Sequence, residues 1–414
     1  MIQALSSRQL RGKITIPASK SDAQRAILSA ALANGRSTII GVGESDDVKA
    51  MLQAIEQLGA SVTIQNELVS IQGLKAMDSE KSVFIGESGL GARLLIATAS
   101  VFNQQIKIEG SGSLLKRPIS FYDKTLPALG VSIETTNGFL PATVKGPLTG
   151  GIISVDGAES SQTISGLIMA LPLSNEDSLL TVQSFTSKPY VQMTIRTLAA
   201  FGIAIEQQAD NIFTIKGRQS YQPTRYHVES DWSAASFWLV AAAIGHPIAI
   251  AGLNEHSLQA DKALLHAFDV AQIDYSWQEN VIQVNGTQRK AFQFDATDCP
   301  DLFPALAVLA TCCNGTSIIK GVNRLIHKES NRSEALQLEF SKLGVTITVF
   351  GDEMHVIGTN TIKGAVVSAH NDHRIAMALA ILATRSDEVI EIHQAAAVSK
   401  SYPEFWDHLN QLTI

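Results

Sequence analysis

The stretch EFSKLGVTITVFGDEMHVIG, residues 339–358, combines a helix end with two strand-like runs. The helical part stops at Leu-Gly, where glycine adopts the left-handed backbone of a helix end without steric cost. Two short runs of alternating apolar and polar residues follow, separated by Gly351–Asp352, a pair typical of hairpin turns. The stretch therefore predicts a helix followed by a β-hairpin.

The same order of helix, glycine and hairpin recurs along the chain. Its other copies are IEQLGASVTIQNELVSIQG (55–73), LPALGVSIETTNGFLPATVKG (126–146) and LAAFGIAIEQQADNIFTIKG (198–217). A weaker copy, LLHAFDVAQIDYSWQENVIQVNG (264–286), has Asp269 at the position that we align with the glycine. The spacing of about seventy residues predicts about six repeats of an α/β type.

Each repeat also contains a strand that runs into a polar segment, from which a helix leaves. These polar segments are IPASKSDAQRAIL (16–28), FIGESGLGARLL (84–95), SVDGAESSQTISGL (154–167), VESDWSAASFWL (228–239), FDATDCPDLFPAL (294–306) and SAHNDHRIAMAL (368–379). Their Ser, Asp and Asn residues are typical helix N-caps. Several segments also carry cations that a cap does not need, such as Lys20, Arg25, Arg93 and Arg374. Because helix N-termini attract anions, six converging termini predict a phosphate-binding cleft.

The order of the repeats predicts two domains, with one inserted into the other. The N-terminal strand has its own polar segment but no preceding helix, so we expect it to close the C-terminal repeats. One domain then comprises residues 1–18 and 227–414, and the inserted domain comprises residues 19–226. The crossings near Lys20 and Tyr226 would form a hinge, and the cleft would lie between the domains.

Composition limits the class of protein. The chain has 414 residues, 45% hydrophobic and 17% charged, which is enough for more than one core. Its net charge of -7 argues against a nucleic-acid partner. The N-terminal segment lacks the apolar run of a signal peptide, and runs such as FWLVAAAI (237–244) are too short to span a membrane. Three cysteines, two of them adjacent, have neither disulfide nor zinc spacing. We expect a cytoplasmic protein without a membrane partner.

Ten segments, in order and at matching distances, carry a resemblance to a known family. They are ASKSDAQRAILSAALA, GESGLGARLL, KRPI, SSQTISGLIMALPL, SKPYVQMTIRTLAAFGI, SDWSAASFWLVAAAI, CPDLFPALAVLA, KESNR, NDHRIAMALAIL and KSYPEFW. The chain resembles the 5-enolpyruvylshikimate-3-phosphate synthases along its whole length. That resemblance implies an α/β fold of two domains, each with three βαβαββ units whose helix N-termini face the cleft. It also implies transfer of the enolpyruvyl group of phosphoenolpyruvate to the 5-hydroxyl of shikimate 3-phosphate through a tetrahedral intermediate. Neither a metal nor a cofactor is expected, and we expect a monomer.

The resemblance also implies roles for individual residues. Lys20 would contact both substrates, Asp301 would accept the proton of the attacking hydroxyl, and Glu329 would be the second carboxylate of proton transfer. Shikimate 3-phosphate would be held by Lys20, Ser21, Arg25, Ser160, Ser161, Gln162, Ser187, Tyr190, Asp301 and Lys328. Phosphoenolpyruvate would be held by Lys20, Gly89, Arg93, Gln162, Arg332, Arg374 and Lys400.

These residue types suit the chemistry. Two phosphates and two carboxylates must bind close together, and Arg and Lys supply the necessary charge-assisted hydrogen bonds. Addition of a hydroxyl across a double bond requires a base at the hydroxyl and an acid at the methylene carbon. Asp301 suits the first task, whereas Glu329, Lys20 and Lys400 all remain candidates for the second.

The segment HNDHR raises the question of a metal. Arg374 is expected to face an anion, with Asn371 and Asp372 as caps. His370 and His373 have no third ligand in view, so we expect a structural role for both rather than a metal site.

Three positions depart from the family pattern. Ser113 stands where many members have an arginine on the phosphoenolpyruvate phosphate, Arg324 where many have asparagine, and Glu87 where asparagine is common. We expect Lys116 or Arg117 to supply the cation missing at Ser113.

Two alternatives remain open. The sister enzyme that uses UDP-N-acetylglucosamine typically has a reactive cysteine in the loop that here reads GSGSLLKRP (110–118), which contains none. A phosphometabolite-binding protein without catalytic activity is the other alternative. The joint presence of Lys20, Asp301, Glu329, Arg374 and Lys400 argues against it.

Overall fold

The computed structural model describes residues 1–75, 79–158 and 160–414. Met1–Pro17 and Ser230–Ile414 form one compact unit, which we call the outer unit. Ala18–Glu229 form a second, which we call the inserted unit. Glu159, in the third polar segment, lies outside the described residues.

The strands are short, and they are listed here in chain order: β1 (Ile2–Leu5), β2 (Gly12–Thr15), β3 (Arg36–Ile40), β4 (Ser61–Gln65), β5 (Leu68–Gln72), β6 (Lys81–Phe84), β7 (Ile106–Glu109), β8 (Ser132–Thr136), β9 (Phe139–Lys145), β10 (Gly151–Asp156), β11 (Ser178–Gln183), β12 (Ile205–Ala209), β13 (Ile212–Ile215), β14 (Arg225–His227), β15 (Ile248–Ala251), β16 (Asp274–Gln278), β17 (Val281–Asn285), β18 (Gln293–Asp295), β19 (Thr316–Lys320), β20 (Thr346–Phe350), β21 (Glu353–Ile357), β22 (Ala365–Ser368) and β23 (Ile390–His393). The α-helices are α1 (Lys20–Leu32), α2 (Asp46–Leu58), α3 (Gly89–Ala99), α4 (Ser120–Thr125), α5 (Ser161–Ala170), α6 (Lys188–Ala200), α7 (Trp232–Ala243), α8 (Leu264–Ala271), α9 (Phe303–Thr311), α10 (Arg332–Lys342), α11 (His373–Ala383) and α12 (Phe405–Leu412).

One topology recurs in the sheets. In β6–α3–β7–α4–β8–β9 the strand order is β6-β7-β9-β8, with β6 parallel to β7 and the hairpin antiparallel to it. The sheets β10-β11-β13-β12 and β18-β19-β21-β20 have the same order and the same directions. A helix joins each parallel pair because parallel strands need a long crossover. The predicted α/β fold of βαβαββ repeats is confirmed.

In two sheets, one strand lies far along the chain from the parallel strand with which it pairs. Strand β2 pairs in parallel with β15 of the outer unit, and β14 pairs in parallel with β3 of the inserted unit. The sequence analysis expected the strand that leads into segment 16–28 to belong with the C-terminal repeats and the helix that follows it to belong to the inserted domain. The chain crosses at Pro17–Ala18, so β2 remains in the outer unit whereas α1 belongs to the inserted unit.

The last sheet has three strands in the order β1-β23-β22. Strand β1 runs antiparallel to β23, with Ile2 opposite His393. The N-terminal strand thus takes the place of the hairpin that completes the other repeats. The strand that the sequence analysis expected to close the C-terminal repeats, the one that leads into segment 16–28, is β2 rather than β1.

Helices α9 and α11 are buried along their whole length, and so are α3 and all but Gln162 of α5. Such helices are apolar on every face because neighbouring elements surround them. Truncation of a buried leucine such as Leu306 should cost about 2–5 kcal/mol. Packing therefore fixes the starts of these helices, where the polar segments lie.

The helix-ending glycines are left-handed, as predicted, with φ of 113° at Gly59, 79° at Gly130, 78° at Gly202 and 82° at Gly344. The alignment of Asp269 with them was wrong. Helix α8 continues to Ala271, and Gln272 adopts the left-handed conformation with φ of 58°. Within residues 1–75, 79–158 and 160–414, no helix combines the length and the apolarity needed to cross a membrane.

Candidate active site

Arg25 joins the starts of three helices in the inserted unit. Its guanidinium donates to Thr194 Oγ1 at 2.7 Å, to Ser165 Oγ at 3.4 Å and to the Tyr190 carbonyl at 3.3 Å. A fourth hydrogen bond, of 2.7 Å, goes to the Ser21 carbonyl. Burial lowers the pKa of Arg25 to about 10. Arg25 therefore orders the helix starts from within, and its contact with shikimate 3-phosphate stays a prediction.

Lys20 is the first residue of α1, and its Nζ lies 2.8 Å from Asp47 Oδ2. Both side chains are largely buried, at 12% and 11% exposure, so the ion pair is partly shielded from water. Asp47 lies in the first turn of α2. The carboxylate holds the ammonium in place, and an incoming anion would compete with Asp47 for Lys20.

The start of α3 lies beside α1 and against an arginine. Ser88 caps α3 by accepting from Gly91 N at 3.2 Å, and its hydroxyl donates to Gln24 of α1 at 3.1 Å. A Cβ at Gly89 would overlap the guanidinium of Arg117, so only glycine allows this approach. Arg93 donates to the Gly89 carbonyl at 3.0 Å. The predicted Gly89 and Arg93 thus lie together with Arg117, which is buried.

The start of α5 presents a buried polar atom, Gln162 Oε1, that no described residue hydrogen-bonds. Ser160 caps the helix by accepting from Gln162 N at 3.2 Å. Gln162 Oε1 is buried and has no hydrogen-bond partner among the described residues. Buried polar atoms are nearly always hydrogen-bonded, so this oxygen suits a ligand. Ser187 begins α6 in the left-handed conformation, with φ of 54°.

Asp301 lies at the centre of a cation cluster in the outer unit. Its Oδ1 accepts from Arg332 at 2.7 Å and from Lys328 at 3.3 Å, and its Oδ2 accepts from Arg374 at 3.2 Å. Burial alone would raise the pKa of Asp301. The charges of Arg374, Lys328 and Arg332 outweigh burial and hold the pKa well below its usual range. Asp301 is therefore ionised.

Arg332 is 1% exposed and binds three carboxylates. Besides Asp301, it donates to Glu329 Oε2 at 2.7 Å and to Asp372 Oδ2 at 2.8 Å. Burial alone would lower the pKa of Arg332. The carboxylates of Asp372, Glu329 and Asp301 outweigh burial and raise that pKa above its ordinary value. This network brings the predicted residues Asp301, Glu329 and Arg332 together.

Asp372 caps α11 and fixes Arg374. Its Oδ1 accepts from the backbone N of Arg374 at 2.9 Å, as the sequence predicts for a cap. Asn371 is not a cap: it is left-handed, with φ of 54°, and its carbonyl accepts from Lys400 at 2.8 Å. The Nε of Arg374 is buried without a hydrogen-bond partner among the described residues. Like Gln162 Oε1, it suits a ligand atom.

His370 belongs to a hydrogen-bonded network around the buried Glu339. Its Nε2 lies 2.7 Å from Glu339 Oε1, and Glu339 Oε2 accepts from Lys342 at 2.7 Å and from Ser368 N at 2.9 Å. Burial alone would raise the pKa of Glu339, but these hydrogen bonds lower it below its usual value. The described residues contain no group of three or more His, Cys, Asp or Glu arranged to hold a metal.

Asp261 is a buried carboxylate near the cluster that the sequence analysis missed. The hydroxyl of Ser233, in the first turn of α7, donates to Asp261 Oδ2. Burial and the neighbouring Asp301 raise the pKa of Asp261 to about 7, although Arg374 lowers it. No local pattern marks Asp261 in the sequence, because only the folded chain brings it near Asp301.

The family departures at Glu87 and Ser113 lie in one loop contact, in which the Glu87 carboxylate accepts from Ser113. Lys116, at the end of the short 3-10 helix Gly112–Lys116, is exposed. Arg117 follows it and lies against Gly89. Of the two cations predicted to compensate for Ser113, Arg117 is the one beside a predicted phosphoenolpyruvate ligand.

In each of the two units, cations lie near the starts of buried helices, an arrangement typical of enzymes that bind small anions. Structural comparison supports this class: the fold matches EPSP synthase from Acinetobacter baumannii with a TM-score of 0.84 and 26% identity, covering 100% of this chain and 98% of that one. Residues 5–409 match the family model described as EPSP synthase (3-phosphoshikimate 1-carboxyvinyltransferase). The chain belongs to the EPSP synthase family.

Curated relatives extend over nearly the whole chain. The 3-phosphoshikimate 1-carboxyvinyltransferase of Clostridium kluyveri is 36% identical over 411 residues, which cover 99% of this chain and 96% of the relative. That of Clostridium acetobutylicum is 38% identical over 410 residues, covering 97% and 95%. The resemblance predicted from ten short segments is confirmed.

Proposed function

We infer that the chain transfers the enolpyruvyl group of phosphoenolpyruvate to the 5-hydroxyl of shikimate 3-phosphate and releases phosphate. This is a reaction of the shikimate pathway, which supplies aromatic amino acids. Family membership over residues 5–409 supports the inference. The observation that carries it is Asp301, an ionised carboxylate within hydrogen-bonding distance of Lys328, Arg332 and Arg374. A base surrounded by cations is what a hydroxyl nucleophile and two anionic substrates require.

The cations also control how basic Asp301 is. A carboxylate whose pKa is well below its usual range is a weak base. When phosphoenolpyruvate binds to Arg332 and Arg374, its negative charge neutralises them and the pKa of Asp301 rises. Asp301 can then accept the 5-hydroxyl proton as the oxygen attacks the enol carbon. Substrate binding would thus convert Asp301 from a weak base into a general base.

The acid for the methylene carbon has three candidates. Glu329 Oε2 accepts from Arg332 at 2.7 Å, so an anionic substrate would compete with Glu329 for the arginine. Lys20 and Lys400 are both held by oxygen atoms, of Asp47 and Asn371 respectively. Each of the three belongs to a hydrogen-bonded network that an anionic substrate would rearrange.

We propose the remaining ligands and the domain roles on the same basis. The outer and inserted units would be the two domains, and each carries part of the predicted set of ligands. The polar atoms Gln162 Oε1 and Arg374 Nε support this assignment, as each lacks a partner among the described residues. We further propose that the enzyme is cytoplasmic and monomeric. The proposed ligands of both substrates are Lys20, Ser21, Arg25, Gly89, Arg93, Ser160, Ser161, Gln162, Ser187, Tyr190, Asp301, Lys328, Arg332, Arg374 and Lys400.

A phosphate-release assay tests the reaction. The purified chain should release phosphate from phosphoenolpyruvate in the presence of shikimate 3-phosphate, and not with UDP-N-acetylglucosamine. Release only with the sugar nucleotide would identify the sister activity. Binding of both substrates without release would identify a non-catalytic binding protein. Either outcome would overturn the proposed function.

A further inference from the structure

Asp22 is a fully buried carboxylate in the first turn of α1. It follows directly on Lys20 and Ser21, two of the proposed substrate ligands. Its Oδ1 accepts from the Tyr226 hydroxyl at 2.7 Å, and its Oδ2 accepts from the backbone N of Glu229 at 3.0 Å. Both oxygens are therefore used by protein donors, so Asp22 is not placed to bind substrate itself.

Thr197 Oγ1 of α6 also donates to Asp22 Oδ1, at 3.4 Å, whereas the two closer donors, Tyr226 and Glu229, lie in the segment that ends the inserted unit. Strand β14, which contains Tyr226, is the first strand of the sheet β14-β3-β5-β4. Glu229 is held in turn by Arg196, whose guanidinium donates to the Glu229 carboxylate at 2.8 Å. The backbone carbonyl of Glu229 accepts from Ser19 N at 2.7 Å. The start of α1 is thus attached to Glu229 both at Ser19 and at Asp22.

A carboxylate satisfies both donors, because each of its two oxygens can accept one hydrogen bond. An asparagine has one acceptor oxygen, so its NH₂ group would face either the Tyr226 hydroxyl or the Glu229 N–H. Burial raises the pKa of Asp22, although the hydrogen bonds from Tyr226 and Glu229 and the charge of Arg196 lower it. Burial of a charge is costly, and a buried ionic group is weak evidence for stability. The carboxylate is better explained by the geometry that it imposes on α1.

We propose that Asp22 is a positioning residue for the substrate ligands Lys20, Ser21 and Arg25, a role that rests on the function proposed above. Its two hydrogen bonds fix where α1 begins and which way its first turn faces. Lys20 then lies next to Asp47, and Arg25 reaches Thr194 and the Tyr190 carbonyl. Loss of either hydrogen bond lets the first turn move, so substrate affinity falls although no ligand has been removed.

Tyr226→Phe tests the proposal because it removes one hydroxyl and leaves the aromatic ring. Tyr221→Phe is a matched control: Tyr221 is also buried, and its hydroxyl donates to the Met169 carbonyl at 2.7 Å, away from α1. The Michaelis constant for each substrate, kcat and the thermal unfolding temperature are measured for both variants. We expect Tyr226→Phe to raise the Michaelis constant for shikimate 3-phosphate roughly threefold to tenfold, with a smaller fall in kcat. Tyr221→Phe should lower the unfolding temperature and leave both Michaelis constants unchanged.

Asp22→Asn provides a second measurement, with an expected effect at least as large as that of Tyr226→Phe. If it does not fold, Tyr226→Phe still decides the question. Equal Michaelis constants in Tyr226→Phe, Tyr221→Phe and the wild-type chain would overturn the positioning role alone. A wild-type chain without activity on these substrates would overturn the proposed function, and the positioning role with it.

Discussion

Glu87 Oε2 accepts two hydrogen bonds from Ser113, at 3.0 Å from the backbone N and at 2.9 Å from the hydroxyl. These are two of the three positions at which the sequence departs from its family. A Cβ at Gly112 would overlap the same carboxylate, so the loop packs closely around it. The two departures are therefore one structural unit, and neither can be interpreted alone.

Substitutions at this pair should be strongly non-additive. In Ser113→Arg the new guanidinium would meet the Glu87 carboxylate first, so the Michaelis constant for phosphoenolpyruvate should not improve. Glu87→Asn combined with Ser113→Arg frees the guanidinium and should lower that constant. A double-mutant cycle on kcat/KM should give a coupling of roughly 0.5–3 kcal/mol. Additive effects of the two changes would contradict this expectation.

Gly89→Ala should weaken phosphoenolpyruvate binding through Arg117. The new methyl group would overlap the Arg117 guanidinium, which must then move. Loss of a charge-assisted contact costs about 1.5–3 kcal/mol, so the Michaelis constant should rise roughly tenfold to a hundredfold. Arg117→Ala should have the same effect, and Lys116→Ala, which changes an exposed neighbour, should not. A large effect of Lys116→Ala with little effect of Arg117→Ala would assign the phosphate contact to Lys116 instead.

Asp301→Asn should lower kcat roughly a hundredfold or more, because the amide cannot accept the hydroxyl proton. Asp295→Asn is the control, since Asp295 is an exposed carboxylate at the end of β18. Calorimetry should show that the Asp301 variant still binds shikimate 3-phosphate. Turnover near the wild-type value would exclude Asp301 as the base.

Asp261 should make the folded protein less stable as the pH rises. Its pKa is about 7 in the folded chain, against 3.8 for an ordinary aspartate. Because the folded-state pKa is the higher one, the stabilisation is complete below the unfolded-state pKa and is lost as the pH rises through the folded-state pKa. Each pH unit between the two pKa values lowers the free energy of unfolding by about 1.4 kcal/mol.

Urea unfolding measures this loss when the wild type and Asp261→Asn are compared at pH values of roughly 4 and 7.5. The interval between the unfolded-state and folded-state pKa values of Asp261 lies between these two pH values. The variant should gain stability relative to the wild type at the higher value. Asp269→Asn, at an exposed position of α8, serves as the control. Parallel stability curves for all three proteins would show that Asp261 does not titrate in this range.

The repeat architecture was predictable from the sequence because its signals are local. Alternation marks a hairpin, and a left-handed glycine marks a helix end, as at Gly59 and Gly344. The pairing of β14 with β3 was not predictable, because no local pattern specifies which strand lies beside which. The left-handed conformation of Gln272 at the end of α8 was not predicted for a related reason: packing imposes a conformation that glutamine does not prefer.

For the candidate site, sequence resemblance predicted candidate ligands but not the groups that hold their side chains in place. Asp301 and Arg332 lie in segments that resemble the family, and in the structure Arg332 Nη1 lies 2.7 Å from Asp301 Oδ1. Asp22 and Asp261 escaped because a buried carboxylate looks like any other aspartate in the sequence. Their burial depends on residues far away along the chain, such as Tyr226 for Asp22.

The chain enters and leaves the inserted unit at a single place. Ser19 N lies 2.7 Å from the Glu229 carbonyl, and Asp231 N lies 2.9 Å from the Pro17 carbonyl. For the outer unit, the inserted residues are a loop of roughly two hundred residues, and closing such a loop from a flexible chain would cost about 5 kcal/mol. Once folded, the inserted unit holds the ends of that loop together, as a covalent crosslink would. The pairing of β2 with β15 then behaves as a short-range contact, which favours a folding order in which the inserted unit forms first.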